Sequence, residues 1–209
     1  MEPESSKILG GIGAILMFIG PFGASYTGIV GFVGLILVLV ALNGLADYYK
    51  ERRIFNNVLY AAMIAIVGGV VSVVVIVIAA IDMLPILGIH ISNWTDWSAL
   101  QKVDWQNFTN WSALAPYVGA IIGALIILFV CAVVAAILLR RSLITLSEKS
   151  GTHLFATAGL LMLIGAVLTI VLVGLILLWV SLLLLAIAFF EMRTQPAPTQ
   201  TTMPSPPSS

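Results

Sequence analysis

The charged stretch Asp47-Tyr48-Tyr49-Lys50-Glu51-Arg52-Arg53 separates two long apolar runs of the chain. Runs of this length and apolarity are typical of helices that cross a lipid bilayer. Lys and Arg concentrate in those loops of membrane proteins that stay in the cytoplasm. The stretch therefore predicts a cytoplasmic connection between two spans.

The composition favours a membrane environment for the whole chain. Hydrophobic residues make up 61% of the 209 residues and charged residues only 9%, with a mean hydropathy of +1.14. An average soluble domain has roughly 25% charged residues. We predict an all-α polytopic bundle whose main partner is the lipid bilayer. The formal net charge of zero gives no sign of a nucleic-acid partner.

The apolar run before the charged stretch is too long for one span. As a single helix, residues 7–46 would measure about 60 Å, about twice the thickness of the hydrocarbon core. Residues 20–26 combine Gly, Pro, Ser and Tyr, which suit a turn at the membrane interface. This predicts a first span at about 7–21 and a second at about 27–47.

The first span has an alternative interpretation as a signal peptide that is cleaved near residues 23–25. A signal peptide begins with basic residues. This chain begins with the acidic residues Glu2 and Glu4, so a retained span is the preferred prediction.

Two further spans follow the charged stretch. The third, at about 55–83, leaves the cytoplasm. The fourth, at about 116–139, returns to it, with Pro116 in its first helical turn and Arg140-Arg141 as its stop signal.

The last apolar block, residues 153–190, is again too long for one crossing, and Lys149 and Arg193 place both of its flanks in the cytoplasm. An even number of crossings is required. We predict a fifth span at about 153–171 and a sixth at about 174–191.

The sequence thus predicts six transmembrane helices within residues 1–193, with both termini in the cytoplasm. Lys102 is the one basic residue placed outside. The Pro-, Thr- and Ser-rich tail, residues 194–209, is too polar to bury a core and is predicted to be a disordered cytoplasmic segment.

The outer loop, residues 88–115, is rich in tryptophan and contains a repeat, in which Asn93 to Leu100 recurs as Asn107 to Leu114. Aromatic side chains of this kind favour the membrane–water interface. They are interpreted as anchors on short amphipathic helices that lie on the outer leaflet, or as a cap on the bundle. The predicted anchors are Trp94, Trp97, Trp105, Phe108 and Trp111.

The same loop contains three Asn-X-Ser/Thr sequences, which begin at Asn93, Asn107 and Asn110. This pattern is the acceptor for N-glycosylation. A surface glycoprotein is the hypothesis, provided that the source cell glycosylates its surface proteins.

The predicted spans show no catalytic or metal-binding pattern. Ionisable side chains fall near the predicted interfaces, and His90 and His153 lie on opposite sides, where they cannot share a metal ion. The sequence therefore predicts no enzyme, no cofactor and no metal site. The polar residues within the spans are expected to hydrogen-bond the backbone of their own helix or of a neighbour, and they are Asn43, Ser72, Thr157, Thr169 and Ser181.

Three further patterns have two interpretations each. Gly119 and Gly123 form a GxxxG pattern that fits internal helix packing or subunit association. Lys50, Arg52 and Arg53 form either a simple topology signal or a site for anionic lipid headgroups. Local matches between the first and last hairpins indicate either a duplicated hairpin or a chance likeness, and they pair residues 16–20 with 161–165 and residues 34–37 with 174–177.

Several short segments also resemble a known family. They are Ser6 to Gly10, Ala46 to Tyr49, Ile54 to Asn57, Gly151-Thr152 with Ala158-Gly159, and Ala186 to Phe190. In these segments the chain resembles an archaeal family of multi-pass membrane proteins classed as domain of unknown function 996. The likeness covers most of residues 6–193, apart from the tryptophan-rich loop. It implies an archaeal surface membrane and transfers no catalytic residue.

The preferred functional hypothesis is a non-enzymatic structural or accessory component of the cell membrane, as a homo-oligomer or in a larger membrane complex. The alternative is an oligomeric protein for permeation of small solutes or ions, and a membrane enzyme acting on lipids is the third hypothesis. A polar cavity bounded by the polar residues of the spans would favour permeation. A solid apolar core would favour the structural role.

Overall fold

The computed structural model of the protein describes residues 3–20, 27–86, 111–171 and 173–192. Within these ranges the chain forms six α-helices and no β-strand. The helices are α1 (Pro3–Ile19), α2 (Thr27–Tyr48), α3 (Arg52–Met83), α4 (Trp111–Ser150), α5 (Leu154–Leu168) and α6 (Val173–Glu191), and a short 3₁₀ helix (Thr169–Val171) follows α5. The predicted all-helical fold is confirmed.

Five of these helices, α2 to α6, are long and apolar enough to cross a membrane when α5 is counted together with its 3₁₀ extension to Val171. Helix α1, with 17 residues, is shorter. Its length is about 25 Å, somewhat less than the roughly 30 Å of the hydrocarbon core. The apolar helices are consistent with a multi-pass membrane protein, and the number of crossings stays a prediction.

The fourth helix is much longer than predicted. It runs for 40 residues and contains Pro116 in its interior, so Pro116 is not in the first turn and the helix does not stop at Arg140-Arg141 as predicted. The span predicted at about 116–139 lies within this helix and stays a prediction. Arginine is a good helix former, and after the arginine pair Leu143 and Leu146 are fully buried. The positive charges mark a predicted membrane boundary, whereas burial of an apolar face continues the helix to Ser150.

The helices pack as three antiparallel hairpins, α1–α2, α3–α4 and α5–α6, with α6 against α1 and α5 against α4. The main core lies where the α2–α3 and α4–α5 connections are found, residues 49–51 and 151–153. We call this the connection end. All six helices contribute to its core, and Phe155 and Phe189 meet there edge to face at 5.2 Å between ring centroids.

Away from the connection end, α3 and α4 form a largely exposed arm. Only 17% of the most apolar window of each helix is buried. A small cluster of Leu114 with Met83, Leu84 and Ile86 closes the far end of the hairpin. The aliphatic faces between the two ends therefore suit contact with lipid or with another membrane protein.

Two helix ends at the connection end depend on a left-handed residue. Lys50 has a φ of +53° and follows α2, with hydrogen bonds from Glu51 N–H to the Ala46 carbonyl and from Lys50 N–H to the Asp47 carbonyl. These bonds define a Schellman motif. Gly151, with a φ of +70°, ends α4 in the same region, and glycine adopts this conformation without steric cost.

Backbone contacts between glycines close the first and last hairpins. A Cβ atom added at Gly34 would lie 2.6 Å from the Gly13 carbonyl oxygen, and one added at Gly174 would overlap the Gly165 carbonyl oxygen. Each hairpin therefore has one crossing at which only glycine fits. In α1 this glycine is Gly13, whereas the sequence match had paired Gly20 with Gly165.

The glycine crossing predicts opposite effects for two substitutions in α2. Gly34→Ala should lower the free energy of unfolding by about 1 to 3 kcal/mol, because the new methyl group meets backbone that cannot move alone. Gly31→Ala should have no effect or stabilise by up to about 1 kcal/mol, because an added Cβ meets nothing within 4 Å. Thermal unfolding of the full chain in detergent measures both. Equal midpoints for the two variants would contradict the close crossing.

Candidate functional site

Two buried serines join α3 to α4 through backbone carbonyls. Ser72 Oγ donates to the Ala124 carbonyl oxygen at 3.1 Å, and Ser142 Oγ donates to the Ile54 carbonyl oxygen at 2.6 Å. The role predicted for Ser72 is confirmed. Ser142 was missed because it follows the arginine pair, in a segment taken to lie outside the spans.

The other hydroxyl groups with predicted roles bond carbonyls three or four residues earlier in the chain. Thr157 Oγ1 donates to the His153 carbonyl oxygen at 3.3 Å, Thr169 Oγ1 to that of Gly165 at 2.8 Å, and Ser181 Oγ to that of Leu178 at 2.6 Å. These bonds satisfy the donors without a water-filled path. They follow one of the two expectations for these residues, a local bond and not one to a neighbouring helix.

Trp179 fastens α6 to α1. Its indole stacks on Phe18 with 4.2 Å between ring centroids and 8° between ring planes, and its Nε1–H donates to the Phe18 carbonyl oxygen at 2.8 Å. This carbonyl lies in the last turn of α1, where helix carbonyls lack partners within the helix. Trp179 was not singled out from the sequence, because its apolar flanks predict only a lipid-facing or buried side chain.

Acidic side chains near the α2–α3 connection pair with its arginines and partly cancel its positive charge. Arg52 pairs with Asp47 at 3.3 Å, and Arg53 lies 3.9 Å from Glu51. Exposed pairs of this kind stabilise a fold little, but they reduce the positive charge offered to an anionic lipid. This geometry favours the topology-signal interpretation of the cluster.

Tyr49 directly follows α2 beside this cluster, with its ring edge to face against Tyr48. Burial raises the pKa of the Tyr49 hydroxyl above its ordinary value, and the charge of Tyr48 adds to the rise. The hydroxyl of Tyr49 is therefore neutral at physiological pH.

A cavity of about 370 Å³ lies at the connection end, between the α4–α5 connection and the end of α6. Ser147 Oγ donates to the Thr152 carbonyl oxygen at 3.0 Å and fixes the connection at its edge. The sequence placed His153 and Glu191 near one interface but gave no sign that they share a cavity, because only the α5–α6 hairpin brings them together. The cavity is lined by Ser150, Gly151, Thr152, His153, Leu154, Thr157 and Glu191.

Most residues of the predicted outer-loop sites lie outside the part of the chain that the structure describes. These residues are Asn93, Asn107, Asn110, Trp94, Trp97, Trp105 and Phe108. Trp111 is the first residue of α4 and is 63% exposed.

The GxxxG pattern of α4 is not used between the described helices. Cβ atoms added at Gly119 and Gly123 would meet nothing within 4 Å. Of the two interpretations, subunit association is the one that stays a prediction. No group of three or more His, Cys, Asp or Glu side chains that could hold a metal ion occurs among residues 3–20, 27–86, 111–171 and 173–192.

The fold is that of an all-helical protein whose long apolar helices are consistent with a multi-pass membrane protein. Within this class, the chain belongs to the family described as "Protein of unknown function (DUF996)", which matches residues 30–183. The resemblance found in the sequence is confirmed.

A relative in this comparison is the uncharacterized protein MJ1644 of Methanocaldococcus jannaschii. It is 26% identical over 194 residues, which cover 92% of this chain and 94% of the relative. No solved structure matches the chain. The comparisons therefore establish a family and an archaeal relative without an assigned activity.

The serine contacts between α3 and α4 predict a difference between two hydroxyl deletions in α4. Ser142→Ala should lower the free energy of unfolding by about 0.6 to 2 kcal/mol, because it removes a buried bond between helices. Thr145→Ala is the control, since Thr145 Oγ1 donates to the Arg141 carbonyl oxygen of its own helix in an exposed position. Thermal unfolding in detergent should separate the two variants. A larger loss for Thr145→Ala would rule out the bond between α3 and α4 as the cause.

Proposed function

We propose that this protein is a non-enzymatic structural or accessory component of the cell membrane. The observation that carries the proposal is the state of the polar groups in the apolar helices. The hydroxyls of Ser72, Thr169 and Ser181 each bond a backbone carbonyl. The main core at the connection end consists of packed apolar side chains. A permeation pathway needs polar groups that face water, and the cavity at the connection end has none of these three in its lining.

The exposed arm supports an accessory role. Helix α3 exposes a continuous aliphatic face, and α4 exposes another with its GxxxG pattern. Small residues on an exposed apolar helix allow close approach of a second membrane helix. In the proposed arrangement the connection end keeps the bundle together, and the arm contacts lipid, a second copy of the chain or another subunit.

The proposed topology has six spans, both termini and the tail 194–209 in the cytoplasm, and the loop 88–115 outside, where its three Asn-X-Ser/Thr sequences are open to glycosylation. The connection end then lies on the cytoplasmic side. This orientation rests on the distribution of Lys and Arg.

Single cysteines test the orientation in a Cys131→Ala background that removes the native thiol. A membrane-impermeant maleimide should label Lys102→Cys in intact cells. It should label Arg52→Cys and Lys149→Cys only after the cells are permeabilised. Labelling of the last two in intact cells, with Lys102→Cys protected, would reverse the topology.

Solute flux tests the structural role against permeation. Vesicles that contain the purified chain should release monovalent ions and small neutral solutes no faster than protein-free vesicles, because the hydroxyls of Ser72, Thr169 and Ser181 are bonded to backbone carbonyls. Vesicles with gramicidin give the positive control for ions. Flux that rises with the amount of protein and is changed by Ser72→Ala or Ser181→Ala would establish permeation instead.

Isolation from native membranes tests the accessory role. When isolated from native membranes in a mild detergent, the chain should carry a second copy or another membrane protein in a fixed ratio, and Gly119→Ile with Gly123→Ile should weaken that association. The control is Gly31→Ile, whose site on α2 is equally open. A monomer without a protein partner would count against the accessory role.

A further inference from the structure

One arginine lies on the side of α4 that packs against α5. Arg140 shares a helix face with the buried residues Ala136, Leu143 and Ser147, because these positions follow one another at spacings of three or four residues. A Cβ atom added at Gly159 of α5 would lie 3.2 Å from the Arg140 Cα atom. The charged side chain therefore begins where the two helices are in close contact.

Arg140 has no acidic partner in the part of the chain that the structure describes. Its Nε atom is buried and makes no hydrogen bond there, and the salt bridges of the same ranges use Arg52 and Arg53. Helix α5 contains no charged residue, and the residues of α4 three and four positions from Arg140 are apolar. An arginine stays protonated at physiological pH, and a buried charge without a partner is costly. The side chain thus needs an anion that the described residues do not supply.

The depth of Arg140 is close to that of the lipid headgroups in the proposed orientation. Ser142 is bonded to Ile54 near the start of α3. Arg140 therefore lies about one helical turn further from the connection end than Arg52 and Arg53, whose side chains are exposed. Arg140 itself is partly exposed, so a ligand at this depth can reach its side chain.

The helix surfaces further from the connection end suit acyl chains. One turn from Arg140 on α4, Ile137 is 37% exposed, and beside Gly159 on α5, Leu160 is 42% exposed. A cation near headgroup depth is thus followed by an aliphatic surface toward the membrane interior. A phospholipid has the matching order, since its phosphate group precedes its acyl chains.

We propose that Arg140 binds the phosphate group of a membrane phospholipid that lies against the contact between α4 and α5. A guanidinium suits phosphate because its planar donors can form two parallel hydrogen bonds. Arg52 and Arg53 are less suited, because each has a carboxylate nearby. The site goes beyond the structural role proposed above, and lipid binding would persist if that role were disproved.

Native mass spectrometry of the full chain tests the recognition of phosphate. The chain is released from nanodiscs that contain phosphatidylglycerol and a smaller amount of diacylglycerol with the same acyl chains. Corrected for their amounts, phosphatidylglycerol should be retained at least about tenfold more than diacylglycerol, because hydrogen bonds to charged groups are strong. In titration calorimetry, soluble glycerol phosphate should bind far more weakly than phosphatidylglycerol, because it lacks the acyl chains. Equal binding of the two would overturn the lipid as the ligand.

Two neighbouring arginines locate the site. Arg140→Met should lower the retention of phosphatidylglycerol about tenfold. Arg141→Met is the matched control, since it removes the same charge from an exposed position next in the chain, and it should retain the lipid like the native chain. An equal loss in both variants would show a general attraction to positive charge and overturn the proposal, as would equal retention of phosphatidylglycerol and diacylglycerol.

Thermal unfolding in detergent separates lost binding from lost folding. Without lipid, Arg140→Met should unfold at or above the native temperature, because the Nε atom that it removes is buried without a partner within the described residues. Added phosphatidylglycerol should raise the midpoint of the native chain and of Arg141→Met by several degrees, since a ligand stabilises the folded state that binds it. The same rise in Arg140→Met would contradict the site.

Discussion

The structure depends on the need to satisfy backbone hydrogen-bond groups without water. In hydrocarbon an unpaired N–H or carbonyl group costs several kcal/mol, so the chain forms helices wherever it is apolar. The constraint is most severe where helices end. The carbonyl of Phe18 near the end of α1 accepts from Trp179, and Thr169 in the turn after α5 donates to Gly165. The side-chain contacts at these helix ends therefore satisfy backbone carbonyl groups.

The short last hairpin shows how little freedom this constraint leaves. Helix α5 and its 3₁₀ extension together measure about 28 Å, close to the roughly 30 Å of the hydrocarbon core. The turn can be tight because Gly165 and Gly174 let the two backbones touch. A side chain at either position would push the two helices apart beside the turn, where the helices are barely long enough to cross the hydrocarbon core.

The presence of the helices and their approximate positions were predictable from the sequence, because they follow from the length of the apolar runs and from the charged residues between them. The end of α2 at the charged stretch and the end of α3 at Met83 came out as expected. The extension of α4 did not, because Arg140 and Arg141 mark only a predicted membrane boundary and say nothing about the continuity of the helix. Gly13, the glycine of α1 that packs against Gly34, was also not predicted, because a local sequence match does not show where two helices cross.

The candidate site was beyond prediction for a related reason. His153 and Glu191 are at opposite ends of the last apolar block, and each alone fits a solvated helix end. Their shared cavity exists only because the block folds back on itself, so that the start of α5 and the end of α6 come to the same level. Folding into a hairpin thus brings together two helix ends, the start of α5 and the end of α6, that are far apart in the sequence.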